Sequence, residues 1–176
     1  MSLAHAVLTA LVEKSCSGSE LARRFDRSIG YFWPASHQQI YRELARLESE
    51  GLVSSEAIEA APGRRRLYNV LPAGREELRR WLAEPREPKA IRDELLVKLR
   101  AEAALGGAEL GQSLRLRLER HREKLAAYRL IEEQVFSGRD LDRAGRLQRL
   151  ILSAGIELEQ LWIRLCGEAL DVVEDR

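Results

Sequence analysis

The stretch from 32 to 53, FWPASHQQIYRELARLESEGLV, is closed at both ends, and that closure limits what the chain can fold into. Pro34 disfavours helical backbone at Trp33, so a helix starts only after it. Ser36 and Gln39 have the S-x-x-Q spacing of a capping box, in which each residue satisfies the other's backbone N–H. Ile40, Leu44 and Leu47 then recur at i, i+4 and i+7, a single apolar stripe. Gly51 can take the left-handed conformation that ends a helix. Two strand-like runs follow at once, Leu52 to Ile58 and Leu67 to Leu71, on either side of a turn at Pro62-Gly63.

Two more short helices precede this unit. SLAHAVLTALVEK places Leu3, Val7, Ala10 and Leu11 at helical spacing. In SCSGSELARRF, Ser17 and Glu20 have the S-x-x-E spacing that opens a second helix. Leu21 and Phe25 lie four apart on one face of it, and it ends near Asp26. The order helix, helix, helix, strand, turn, strand predicts a winged helix-turn-helix, with the hairpin as the wing.

Pro72 opens a fourth helix at a position that tolerates proline, with Leu78, Trp81 and Leu82 as its apolar face. Glu84-Pro85-Arg86-Glu87-Pro88 cannot continue it and marks the domain boundary, giving domains 1–84 and 89–176. Everything beyond reads as helix: 93–105, then about 108–136 after Gly106-Gly107, then about 141–172 after Ser137-Gly138. Leu114, Leu118, His121, Leu125, Tyr128 and Val135 form a 4-3 seam on the second of these, with Glu132 as its misfit. Leu147, Ile151, Ala154, Leu158, Leu161 and Leu165 form an unbroken one on the third. Such spacing suits two helices packed together. The last helix carries a second stripe, Ile156, Ile163 and Leu170, and two stripes imply a partner beyond the chain, most simply a second copy. Leu158, Leu161, Ile163, Leu165 and Leu170 are the expected dimerisation residues. The fold class is mainly α with a small β-hairpin wing, a winged helix-turn-helix domain plus a C-terminal helical dimerisation domain.

The 176 residues carry 29 Lys+Arg against 28 Asp+Glu, a net charge of +1. A uniformly basic nucleic-acid binder is excluded, so any basic patch has to be local. Cys16 and Cys166 are the two cysteines and lie in unlike contexts, so neither a zinc site nor a disulfide framework is suggested. No apolar run reaches the ~18 residues that span a membrane, and the first fifteen residues lack signal-peptide character. A cytoplasmic protein without metal or cofactor is expected. An enzyme is not: there is no glycine-rich phosphate loop, no Gly-x-Ser-x-Gly, and His5, His37 and His121 are far apart.

The outer face of the helix after Pro34 shows Ser36, His37, Gln38, Gln39 and Arg42, with Tyr41 beside them. Gln can bond adenine bidentately, Arg can bond guanine, and Ser and His reach phosphate or base edges. In helix-turn-helix proteins the N-terminal part of the second motif helix enters the major groove. Arg64, Arg65 and Arg66 stand where a wing meets backbone or minor groove. A solvated first turn and a solubilising turn tip are the plainer accounts. The position of both features in the helix-helix-hairpin order favours DNA over the rival reading, a winged-helix module that binds protein instead.

The stretches LAHAVLTALVEKSCSGSELARRF, FWPASHQQIYRELARLESEGLV and GRRRLYNVLPAG resemble the PadR-type transcriptional regulators. The shared features are a Phe-Trp pair, a Ser-x-x-Gln-Ile-Tyr recognition helix, a Leu-x-x-Leu-Glu-x-x-Gly-Leu exit and a basic wing, over roughly the first eighty residues. The resemblance implies DNA contact from Ser36, His37, Gln39, Tyr41 and the wing arginines. It also implies a homodimeric repressor on a pseudo-palindromic operator in double-stranded DNA. In some members the C-terminal helices help to bind a small aromatic or hydrophobic effector. Trp81, Trp162, Tyr128 and His121 are the side chains such a pocket would draw on, although core packing is the simpler account of them and none is assigned to a ligand.

Overall fold

The computed structural model describes residues 3–27, 33–57, 65–87, 90–107 and 109–174. The protein is mostly helical with one small antiparallel sheet, and it divides into two compact units, Met1–Pro88 and Lys89–Arg176.

In the first unit, α1 (Leu3–Glu13) buries Val7, Leu8, Ala10 and Leu11. Arg24 fastens its C-terminus: Nη1 donates to the carbonyls of Ala10 at 2.8 Å and Lys14 at 3.0 Å, orphan acceptors a helix end leaves behind. A two-residue strand, β1 (Cys16–Ser17), leads into α2 (Gly18–Arg27), where Ser17 Oγ accepts the N–H of Glu20 at 3.3 Å. Helix α3 (His37–Ser49) follows, then β2 (Val53–Ala57), β3 (Arg66–Val70) and α4 (Pro72–Ala83). Leu21, Phe25, Ile40, Leu44, Leu47 and Val53 join α1 in a single core, with Leu78 and the half-buried Trp81 closing it.

Helix α3 ends as its sequence implies. Gly51 has φ 69°, Leu52 N–H bonds the Leu47 carbonyl at 2.9 Å and Gly51 N–H that of Glu48 at 3.1 Å, a Schellman turn. The turn delivers the chain directly into β2. Strands β2 and β3 pair antiparallel from Val53 opposite Val70 to Ala57 opposite Arg66. The expected second strand begins one residue earlier, at Arg66, and the Pro62-Gly63 turn and Arg64 lie outside the described residues. Sheet order is β1-β3-β2, so β1 adds a third strand to the hairpin. Two residues are too few to show alternation, which is why sequence periodicity misses it.

At Gly74, in the first turn of α4, a Cβ would drive into the carbonyl oxygen of Leu52 and come within 2.9 Å of Val70 Cγ1. That carbonyl also accepts Leu71 N–H at 3.0 Å, so it cannot retreat freely. Alanine favours helix over glycine by ~1 kcal/mol, yet Gly74→Ala is expected to destabilise the protein by about 1–3 kcal/mol through overpacking. Urea unfolding checks this, and an increased midpoint would contradict it.

In the second unit, α5 (Glu94–Leu105) starts at Asp93, whose Oδ1 accepts Leu95 N–H at 2.8 Å. Helix α6 (Gly111–Ile131) runs on into a π-helical turn, Glu132–Phe136, and α7 (Arg143–Glu174) returns along it. Leu95, Leu110, Leu114, Cys166 and Ala169 form the core, with Leu99, Leu118, Trp162, Leu165, Leu170 and Val173 packed around it. The π turn explains the misfit at Glu132. It takes up one extra residue, so Phe136 turns inward at 9% exposure and Val135 stands out at 42%.

The seam expected on α7 is corrected. Leu147, Ile151, Leu158 and Leu161 are exposed in the chain, and the inward face is carried by residues beside them: Glu159, Trp162, Cys166 and Ala169. Glu159 is 5% exposed, an ionisable residue where a heptad rule would put leucine. It accepts Lys124 Nζ at 3.0 Å and pairs with His121 Nδ1, both from α6. Burial pulls the pKa of Lys124 down, but the hydrogen bond and charge of Glu159 outweigh it and hold it above the ordinary lysine value.

Candidate nucleic-acid interface

The back of α3 is fixed by Ile40, Leu44 and Leu47, all fully buried. Three inward points at helical spacing leave the opposite face outward, and Ser36, His37, Gln38, Gln39, Tyr41 and Arg42 are all exposed. The two ends of α3 are therefore set by local bonds and its roll by the core, before any ligand arrives.

The capping box is complete. Ser36 Oγ accepts Gln39 N–H at 3.2 Å, and Gln39 Oε1 accepts Ser36 N–H at 2.8 Å. That Oε1 is the oxygen Gln39 would need for a bidentate bond to adenine. In this arrangement Gln39 shapes the helix start, and its Oε1 is already occupied. Gln38 and Arg42, four apart on the same face, have no side-chain partner among the described residues.

Further along α3, Arg46 is already engaged. It donates to Glu43 at 2.6 Å and pairs with Glu50. The hydrogen bond to Glu43 raises the Arg46 pKa, burial offsets part of that, and the charges of Glu43 and Glu50 add to the rise. The cationic surface of α3 thus lies toward its N-terminal half, where the helix dipole also favours anions.

Tyr41 is 46% exposed, and its ring rests against the backbone of Gly18 at the start of α2, where a Cβ would sit 2.5 Å from Cε1. Arg65 is exposed at the loop end of the wing, just before β3. Arg66 is not a free charge: its Nη2 lies 3.3 Å from Glu48 Oε1 and 3.3 Å from the Ser55 carbonyl. Glu48 also accepts the Ser55 hydroxyl at 2.5 Å. Across from Ser55, burial first and then the Glu48 charge push the Tyr68 phenol above its ordinary range. Sequence reasoning misses Glu48 and Ser55, because neither a helix-end glutamate nor a strand serine signals a distant partner.

The aromatic residues considered for an effector pocket all have packing roles. Trp81 stacks on His5 at 4.7 Å, and His5 Nε2 lies 3.1 Å from Glu77. Trp162 stacks on His121 at 6.0 Å with the Arg117 guanidinium 4.7 Å from its ring. Tyr128 is buried, its ring against Gly155. Of the five expected dimerisation residues, Leu165 and Leu170 pack on the second unit's own core, Ile163 is half-buried, and Leu158 and Leu161 are 51% and 45% exposed.

A capped helix anchored behind and polar in front, followed by a hairpin with Arg65 and Arg66 where its second strand begins, defines a winged-helix DNA-binding transcription regulator. Residues 7–80 match the PadR-like family of transcriptional regulators and residues 91–174 match the virulence activator alpha C-terminal family. The probable transcriptional regulator Rv1176c of Mycobacterium tuberculosis is 40% identical over 190 residues, covering 100% of both chains. The virulence activator AphA of Vibrio cholerae has a TM-score of 0.81 at 33% identity, with 99% of each chain covered. PadR of Bacillus subtilis, solved in complex with operator DNA, shares the fold at a TM-score of 0.81 and 24% identity, covering 98% of this chain and 99% of its own. The chain belongs to the PadR-like family of transcriptional regulators.

Proposed function

We propose that the protein is a homodimeric repressor acting in the cytoplasm, in which α3 of each copy reads one half of a pseudo-palindromic operator. The observation that carries this is the outward face of α3, where Gln38 and Arg42 are exposed, without a side-chain partner among the described residues, on a helix whose position is already fixed. Gln38 and Arg42 are the base readers. Ser36, His37 and Gln39 set the N-terminal turn against phosphate, Tyr41 flanks it, and Arg64 and Arg65 supply wing contacts. Dimerisation through α7 would place two such helices about one DNA turn apart. Bacillus subtilis PadR has been solved with p-coumaric acid, and a small aromatic or hydrophobic effector of this kind is the proposed release signal here. Release requires that the effector prefer the geometry in which the two heads no longer match the operator.

Mobility shift on the DNA upstream of the protein's own gene tests the reading. Gln38→Ala and Arg42→Ala are each expected to cost about 1–3 kcal/mol on the operator and little on a scrambled duplex. Equal losses on both duplexes, or none, would sink the assignment. Activation is the second reading, favoured by the match of residues 91–174 to the virulence activator family. A promoter reporter in cells with and without the protein gives the sign directly.

A further inference from the structure

Glu48 stands next to the last residue of α3, on the unit that is to approach a polyanion. A carboxylate there repels phosphate, so its presence calls for an offsetting role. Its contacts supply one. Through a single oxygen, Oε1, it accepts from Ser55 on β2 at 2.5 Å and from Arg66 on β3 at 3.3 Å. Arg66 closes the loop by donating to the Ser55 carbonyl at 3.3 Å. Helix, first wing strand and second wing strand therefore meet at one carboxylate. The Schellman turn at Gly51 fixes the backbone where α3 passes into β2. The Glu48 contacts add a second tie four residues beyond Gly51, at Ser55, and, across the hairpin, at Arg66.

We infer that Glu48 is a positioning residue for DNA binding. It fastens both strands of the wing to the last turn of α3 and withdraws Arg66 from phosphate contact, so that the cation the described wing offers to the backbone is Arg65. The inference rests on the proposed reading that α3 and the wing touch the duplex.

Charge and geometry predict opposite signs, which makes the role measurable. Glu48→Gln keeps an oxygen for the Ser55 hydroxyl and removes the charge that holds Arg66. If the residue positions the wing, operator affinity of the protein falls about two- to fivefold, the scale of a lost exposed pair. Affinity for a scrambled duplex rises at the same time, because one negative charge has gone and one arginine is released. Arg65→Gln is expected to lower the salt slope of binding by about one, and Arg66→Gln to leave it unchanged. Thermal melts of the same variants check that each remains folded.

A Glu48→Gln protein that binds both duplexes more tightly, in equal proportion, would reduce Glu48 to a repulsive surface charge and overturn the inference. So would an Arg66→Gln slope that drops as much as the Arg65→Gln slope. If the unaltered protein fails to bind any duplex, the DNA reading falls and the positioning role falls with it. Specific binding with an unchanged operator preference in Glu48→Gln overturns the positioning role alone.

Discussion

A protein carrying Leu158→Glu and Leu161→Glu is expected to sediment as a monomer and to bind its operator about 10²–10⁴-fold more weakly, the avidity that linking two half-site readers supplies. Both residues are about half exposed in the chain, so charging them leaves the chain's own core intact. They end an apolar row that runs from Leu147 through Ile151, about 21 Å along α7 at the helical rise. Water-facing apolar rows of that length mark interaction sites, and a closed twofold dimer is the commonest way to cover one. Leu165 and Leu170 serve as the contrast. They pack on the unit's own core, so charging them should unfold it and leave no soluble monomer to observe. A double variant that still sediments as a dimer would place the subunit contact elsewhere.

Glu159→Ala is expected to destabilise the second unit by about 1–3 kcal/mol, the cost of taking the acceptor away from two donors, because the Lys124 ammonium is 41% exposed and still reaches water. The substitution leaves the part-exposed Lys124 and the mostly buried His121 without the carboxylate they share between α6 and α7. Glu159→Gln retains acceptor and shape and should lose less. Urea unfolding followed by far-ultraviolet circular dichroism, which weights the long helices, distinguishes the two. Losses under about 1 kcal/mol for Glu159→Ala would show that the pair is solvated and the helices are held by apolar contacts alone.

The parts of this protein set by neighbours in sequence were legible in it. The start of α3 at Ser36, its stop at Gly51 and its inward face at Ile40, Leu44 and Leu47 all follow from bonds spanning a few residues. The wing strands were legible for the same reason, within a residue at their starts. What the sequence hid is set by partners far along the chain. β1 exists because Cys16 and Ser17 meet Tyr68 and Leu67. Arg66 looks like a wing contact until Glu48, eighteen residues earlier, is placed beside it. Gln39 is the instructive case within the candidate site. One sequence pattern suits both capping and base reading, and the side chain's oxygen is spent on the first. On α7 the 4-3 spacing was real, but spacing alone does not say whether the partner is α6 or another molecule.

The π turn at Glu132–Phe136 has a consequence for comparing members of the family by length. One residue gained or lost inside an ordinary helix rotates everything beyond it by about 100° and turns its apolar face away. At this turn the chain already carries one residue more than the α-helical count. Losing one here relaxes the turn to α-helix and leaves Phe136 and the turn into α7 in phase. A single-residue gap between two relatives at this place is thus a change of spelling, absorbed locally, whereas the same gap beside Leu114 or Cys166 would be a change of fold.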